Sequence, residues 1–255
     1  LFAAERRRAI LAALREHGRI EVKGIAEQLN VTPETVRKDL TELEHKGFLR
    51  RTHGGAVRVE RLSYSTPVTA REGLLDDEKL AIARAAVAEI EDDSTIAIDA
   101  GTTTIKLAEA IGQDRRLTVV TYSVLVAAEL AGHPHVHVHM LGGEVQANSR
   151  AAVGEWALAQ IEQVTLDSVF LSVDGINRRH GLTTHNPAEA SVKRALMRAA
   201  RTRIVMADRT KLRREEFARV APLEDVDMII TDARADADYL AQLEACGPKV
   251  IAANL

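Results

Sequence analysis

The sequence predicts an α/β protein in two parts, an N-terminal winged helix-turn-helix followed by a Rossmann-like α/β domain with a mostly parallel sheet. Three observations carry that expectation. Apolar residues recur at helical spacing on two short neighbouring segments between residues 20 and 45, and a basic ribbon centred on two glycines follows them. From residue 78 onward, helical and strand-like segments alternate. The expected organisation is therefore a winged domain over 1–58, a linker over 59–77 and an α/β domain over 78–255.

In the first part, Ile25, Ala26 and Leu29 give one short helix an apolar face, and Val36, Leu40 and Leu43 do the same for the next. Asn30 and Val31 make the turn between them. Thr32 is a good N-cap, Pro33 suits a first helical position where no N–H partner is lost, and Glu34 complements the helix dipole. Opposite the apolar face stand Thr35, Arg37, Lys38, Thr41 and Glu42, short-chained and basic toward the N-terminal end. In a helix-turn-helix that end enters the major groove. The second helix should stop at Lys46-Gly47, and two short strands around Gly54-Gly55 should form a wing whose Arg50, Arg51 and Arg58 reach phosphates. The candidate contacts to double-stranded DNA are Thr32, Thr35, Arg37, Lys38, Arg50, Arg51 and His53.

Charge agrees with that division. The chain carries a formal −3 overall, but residues 1–60 hold 12 Lys and Arg against 9 Asp and Glu, or +3, which leaves −6 for the remainder. A hydrophobic content of 46% supports a sizeable core in 255 residues. The apolar runs are short and broken by charges, so neither a membrane span nor a secretory signal is expected. Cys246 stands alone and fits a reducing cytoplasm.

The linker, VERLSYSTPVTAREGLLDD, has little periodicity and several residues that favour turns. Beyond it the pattern predicts a helix over 78–90, strands over 95–99, 117–122, 136–141, 168–174, 203–208, 227–232 and 249–253, and helices over 103–111, through Leu130 after the second strand, and over 187–200. In a parallel sheet, ligands bind beyond the carboxyl ends of the strands, and the polar residues collect there. Asp99-Ala100-Gly101-Thr102-Thr103-Thr104 closes one strand and opens a helix, so hydroxyls and helix N–H groups can cradle a phosphate. Thr121-Tyr122-Ser123, Gly142-Gly143, Asp174-Gly175, and Asp208 with Lys211 occupy the next strand ends, and Lys193 and Lys211 are candidate charge partners for a small anion.

Other constellations carry less. His133, His135, His137 and His139 alternate with apolar residues as a strand with one packed face does, so no metal is expected there. Cys246 reads as a small packing residue, and Trp156 as a packing anchor. No cofactor set is visible.

The ordered run LNVTPETVRKDLTELEHKGFLRRTHGGAV, DAGTTT, LTVVTYS, LGG, DGI, GLTT, EASVKRALM, ADRTKL and DMIITD resembles the DeoR-type bacterial transcription regulators over nearly the whole chain. The resemblance implies a winged helix joined to a sugar-phosphate-sensing domain, a repressor of carbohydrate uptake or catabolism, and a homo-oligomer in the cytoplasm. It implies a phosphorylated sugar effector, fructose 1-phosphate being a reasonable candidate, held by Asp99, Gly101, Thr102, Thr103, Thr121, Ser123, Gly143, Asp174, Gly175, Lys193 and Lys211. Tyr122 stands where the family usually has Asn. The sensing domain of this family is similar in fold to ribose-5-phosphate isomerase, which supplies the rival expectation of an isomerase-like enzyme fused to a DNA reader. That chemistry needs a base beside the carbon losing its proton. Here the corresponding Asp-Gly-x-Asp run ends in Asn177 and the glutamate position holds Lys193, so a sensor without catalysis is the favoured expectation.

Overall fold

The structure is a computed structural model of the 255-residue chain and describes residues 2–45, 48–52, 54–57, 68–71 and 73–255. It divides into two compact units, Leu1–Ala70 and Arg71–Leu255.

The first unit contains α1 (Ala3–His17), β1 (Arg19–Glu21), α2 (Val22–Leu29), α3 (Pro33–His45), β2 (Arg50–Thr52) and β3 (Gly55–Val57). Ile10 and Leu14 of α1, Ile25 and Ala26 of α2, and Val36, Leu40 and Leu43 of α3 share one core with Leu49 and Ala56. The two apolar faces read from the sequence thus meet each other and a third helix. Asn30 ends α2 in the left-handed conformation, at φ 52°, and the Thr32 hydroxyl accepts the Thr35 N–H at 3.2 Å to open α3. The wing is three-stranded, in the order β1-β3-β2, all antiparallel. Strand β1 was not expected, because three residues directly preceding a helix leave no alternation to read.

The second unit begins at Arg71, the last residue of a short helix α4 (Val68–Arg71), and continues with α5 (Asp76–Val87), β4 (Thr95–Ile98), α6 (Thr102–Ala110), β5 (Leu117–Thr121), α7 (Val124–Leu130) and β6 (Val136–Met140). A hairpin of β7 (Glu144–Val145) and β8 (Ala152–Val153) follows, then α8 (Glu155–Ile161) and β9 (Leu166–Ser172). Next come β10 (Gly175–Asn177), β11 (Gly181–Thr184), α9 (Pro187–Ala199), β12 (Ala200–Met206), β13 (Ala218–Ala221), β14 (Met228–Asp232), α10 (Ala237–Glu244) and β15 (Lys249–Ala253). Seven strands form one parallel sheet in the order β15-β14-β12-β9-β4-β5-β6.

Alternation along each strand explains why this sheet is covered on both sides. Ala97, Val120, Val169, Leu171, Val205 and Ile229 face one core with residues of α8, α9 and α10. Their neighbours Ile96, Ile98, Val119, Phe170, Ile204, Met206 and Ile230 face a second core with residues of α5, α6 and α7. Apolar side chains on both faces are the mark of a buried parallel sheet. From β4 the chain proceeds outward through β5 and β6, then returns to β4's other side with β9, so the strand order reverses between β4 and β9. A crevice opens at such a reversal, beyond the carboxyl ends of the strands.

The larger departures from the sequence reading are the small antiparallel pieces. Strands β10, β11 and β13 form a separate sheet and β7–β8 a hairpin; with two to four residues each, they are too short for a periodic signal. Strand β12 starts at Ala200, directly after α9, because the polar run Arg201-Thr202-Arg203 pairs with β9 despite its composition.

Candidate functional site

On the first unit, α3 presents Thr32, Arg37 and Lys38 to solvent, with Thr35 half-buried beside them. Among the described residues Arg37 is paired only with Glu34 on its own helix, at 2.7 Å, and both side chains are more than half exposed. Behind this face, buried Asp39 is gripped from α1 by Arg6 at 2.8 Å and Arg7 at 3.1 Å, which fixes the rotation of α3 against α1. Arg51 of β2 donates to the Thr41 hydroxyl at 2.8 Å, and its backbone N–H donates to Glu44 at 2.7 Å. The wing strand is thereby tied to α3 by a basic side chain. Arg50 lies on β2, and His53 and Arg58 lie outside the described residues.

At the strand reversal of the second unit, Asp99 follows β4 and Ser172 ends β9. Asp99 is fully buried. Its Oδ1 accepts the Tyr122 hydroxyl; its Oδ2 accepts the Ser172 N–H at 2.7 Å, the Ser172 hydroxyl at 2.9 Å and the Lys193 ammonium at 2.5 Å. Lys193, 2% exposed, also donates to the Ser172 carbonyl at 2.9 Å. The structure thus brings the predicted Asp99 and Lys193 together and spends them on each other. Tyr122 is part of the same seal: burial and the Asp99 charge push its phenol well above the usual tyrosine range, so it remains a donor.

Above this seal sits the turn into α6. A Cβ on Gly101 would meet the Ser172 hydroxyl at 2.3 Å, so only glycine lets the β4 end approach β9 this closely. No side chain caps the N-terminus of α6. The Thr104 hydroxyl is used on the Asp99 carbonyl at 2.8 Å, while among the described residues the hydroxyls of Thr102 and Thr103 have no hydrogen-bond partner although both residues are more than nine-tenths buried. Free helix N–H groups and two idle hydroxyls make a ready anion cradle.

The neighbouring predicted residues hold the framework. Thr121 donates to the Ile98 carbonyl at 2.6 Å and accepts the Ser123 N–H, while Ser123 caps α7 by accepting the Val126 N–H at 3.3 Å. Gly143 and Gly175 press against backbone, where a Cβ would come within 2.4 Å of the Val153 carbonyl oxygen and 2.7 Å of that of Arg214.

Asp174 lies two residues beyond Ser172. It accepts from the Thr184 hydroxyl at 2.8 Å and His185 Nδ1 at 2.6 Å, with Arg71 at 3.4 Å and Lys211 at 3.9 Å. Burial alone would raise its pKa, but the His185 hydrogen bond and the Lys211 and Arg71 charges outweigh it and hold the carboxylate well below its usual range. Burial works against charge on His185 too, and Asp174 overrides it, raising that imidazole. Lys79, buried on α5, donates to the Arg71 carbonyl at 2.9 Å; burial pushes its amine down to about 8, Asp208 opposing and the Lys211 and Arg71 charges assisting. Arg71, Lys79, Ser172 and His185 were not singled out from the sequence. Arg71 falls in the segment read as a linker, and Lys79 sits in an acidic helix start that reads as a solvated face.

The acid–base set of an isomerase is not assembled among these residues. Asn177 accepts the Arg179 and His180 N–H groups and donates to the Arg214 carbonyl, and Lys193 is sealed against Asp99. Trp156 corrects an expectation: it is 77% exposed on the first turn of α8 and anchors no core. Cys246 does pack, half-buried, against the core under α10. His137 and His139 lie exposed on β6, and no cluster of metal-ligating side chains occurs among the described residues. No described helix is long and apolar enough to cross a membrane.

A winged helix with an exposed basic helix face, followed by a Rossmann-like unit with an uncapped helix start at its strand reversal, is the architecture of a DNA-binding regulator with a sensing domain. The comparisons agree: residues 6–62 match the DeoR-like helix-turn-helix domain and residues 76–233 the DeoR C terminal sensor domain. The chain is 33% identical over 98% of both chains to the HTH-type transcriptional regulator GlpR of Haloferax volcanii. It is 31% identical to the putative aga operon transcriptional repressor of Escherichia coli O157:H7, over 97% of this chain and 93% of that one. It belongs to the DeoR family of transcriptional regulators, typically repressors of sugar operons with phosphorylated-sugar effectors. Among solved structures, ribose 5-phosphate isomerase A from Methanocaldococcus jannaschii aligns with a TM-score of 0.41 at 15% identity, over 54% of this chain and 55% of that one, a distance at which the likeness says nothing about activity.

Proposed function

We propose that this protein represses an operon for carbohydrate uptake or catabolism from the cytoplasm, as a homo-oligomer on double-stranded operator DNA, and that a phosphorylated sugar bound at the β4–β9 crevice sets its operator occupancy. Thr32, Thr35, Arg37 and Lys38 read the major groove, and Arg50, Arg51 and His53 serve the wing. The phosphate rests on Gly101, Thr102 and Thr103. Asp174 takes the sugar hydroxyls and Lys211 adds positive charge toward the phosphate, while Asp99 and Lys193 hold the crevice in shape from beneath, with Thr121, Ser123, Gly143 and Gly175 framing it. The observation that carries the reading is the uncapped start of α6, where the Thr102 and Thr103 hydroxyls have no partner among the described residues, at the carboxyl end of a sheet whose next strand end gathers Arg71 and Lys211 on Asp174. The protein acts without catalysis on this reading, since neither Asn177 nor Lys193 is free to serve as a base; turnover of aldose or ketose phosphates would overturn that.

The direct test is a thermal-shift screen of sugar and polyol phosphates, fructose 1-phosphate among them. A ligand at a hundred times its dissociation constant stabilises by about 2.7 kcal/mol. Thr102→Glu puts a carboxylate into the cradle and should abolish the shift while leaving DNA binding intact. A normal shift in that variant would sink the phosphate assignment.

A further inference from the structure

We propose that Arg71 is itself a ligand-binding residue, and that an anionic effector takes its guanidinium from Asp174, so that occupancy of the crevice is felt at the residue where the sensing unit begins. The inference rests on the sugar-phosphate reading above.

Three observations carry it. The first is that the Arg71 guanidinium is poorly used. Its Nη1 lies 3.4 Å from Asp174, longer than a charge-assisted hydrogen bond, and its Nε is buried with no partner among the described residues. A buried N–H without an acceptor is costly, and an anion oxygen would satisfy it. Second, Asp174 does not depend on Arg71. Thr184, His185 and Lys211 still surround the carboxylate if Arg71 turns away, so the exchange strands no buried charge. Third, the Arg71 main chain is held from inside the sensing unit, because its carbonyl accepts the ammonium of buried Lys79. Arg71 and Lys211 therefore set two cations beside Asp174, and the Lys79 ammonium lies against the Arg71 carbonyl, a local supply of positive charge that suits a phosphate or an acidic sugar group.

Position gives the exchange its consequence. Arg71 closes α4 and is the first residue of the second unit, and Ala70 before it is the last of the first. A ligand that rewards one arrangement of Arg71 over another has the differential affinity that a population shift requires.

The test uses the full chain and calorimetric titration with a panel of aldose, ketose and polyol phosphates, with inorganic phosphate as the minimal probe. Arg71→Gln should weaken the best panel member by about tenfold or more, and Arg71→Lys, which keeps the charge, should recover part of that loss. Amide exchange at residues 71–79 should slow on binding in the wild type and not in Arg71→Gln. Melting of both variants without ligand checks folding, and Arg71→Lys keeps the test informative if Arg71→Gln is unstable. Wild-type affinity and exchange slowing in Arg71→Gln would overturn this inference and leave the sugar-phosphate site standing. Failure of the wild type to bind any panel member would overturn both.

Discussion

The reading helix and the sensing crevice spend their polar side chains in opposite ways. On α3 the candidate DNA contacts Arg37 and Lys38 are exposed and lightly held, Arg37 by one surface ion pair among the described residues, with Glu34. Such a pair contributes about 0–1 kcal/mol, so these side chains are nearly uncoupled from the fold. In the crevice, Asp99, Lys193 and Tyr122 are buried against one another and against half-buried Ser172, and removing one leaves another without its partner. A site that meets an extended polyanion can leave its groups in water; one that closes around a small ligand must fix its geometry in advance, and couples binding to folding.

The sharpest way to break that contrast is Lys193→Met. It leaves the Asp99 carboxylate buried without its cation, which costs about 3–5 kcal/mol. In a domain of this size that corresponds to a fall in Tm of roughly 10 °C, read by calorimetry. A stability within about 0.5 kcal/mol of wild type would show that water reaches the pair and that the crevice is no more closed than the reading helix. Arg37→Ala should do the reverse. We expect unfolding by urea to be unchanged within about 0.5 kcal/mol, while operator affinity at fixed salt drops by about 1–3 kcal/mol. Unaltered operator binding would remove α3's basic face from the interface.

The same contrast decides what the sequence discloses. The reading helix was legible because its signals are local: Thr32 and Pro33 mark its start, and Val36, Leu40 and Leu43 mark its buried face within one stretch of chain. The sheet was legible too, since strands apolar on both faces bounded by helices leave few alternatives, and DAGTTT marked the turn from β4 into α6. Which residue supports and which touches was not legible. Asp99 and Lys193 are 94 residues apart, and only the fold shows that they meet and are sealed beneath the cradle. Arg71 was hidden for a related reason: its segment has turn-forming composition, and its partner Asp174 lies 103 residues further on. Trp156 failed differently, since a lone aromatic carries no periodic pattern that tells a packed face from an exposed one.

The smallest effect discriminates most finely between the two surfaces. Lys79 is lowered from 10.5 to about 8 by burial and by the neighbouring Lys211 and Arg71 charges. Between those values the unfolded chain holds a proton that the folded one has lost, so this group makes stability rise with pH across that window, and below pH 8 the amine is charged in both states. An anion placed among Arg71, Lys79 and Lys211 favours the ammonium and moves its pKa upward. Binding near pH 8.5 should therefore take up about half a proton. A sugar phosphate is already dianionic there and contributes none. The uptake is read as the dependence of the calorimetric binding enthalpy on buffer ionisation enthalpy, in Tris against bicine, and should shrink at pH 7, where the amine is charged before the ligand arrives. Lys79→Met should abolish it, whereas Arg37→Ala on the reading helix should leave it unchanged. Equal uptake in wild type and Lys79→Met would mean that the ligand's charge is met elsewhere in the crevice.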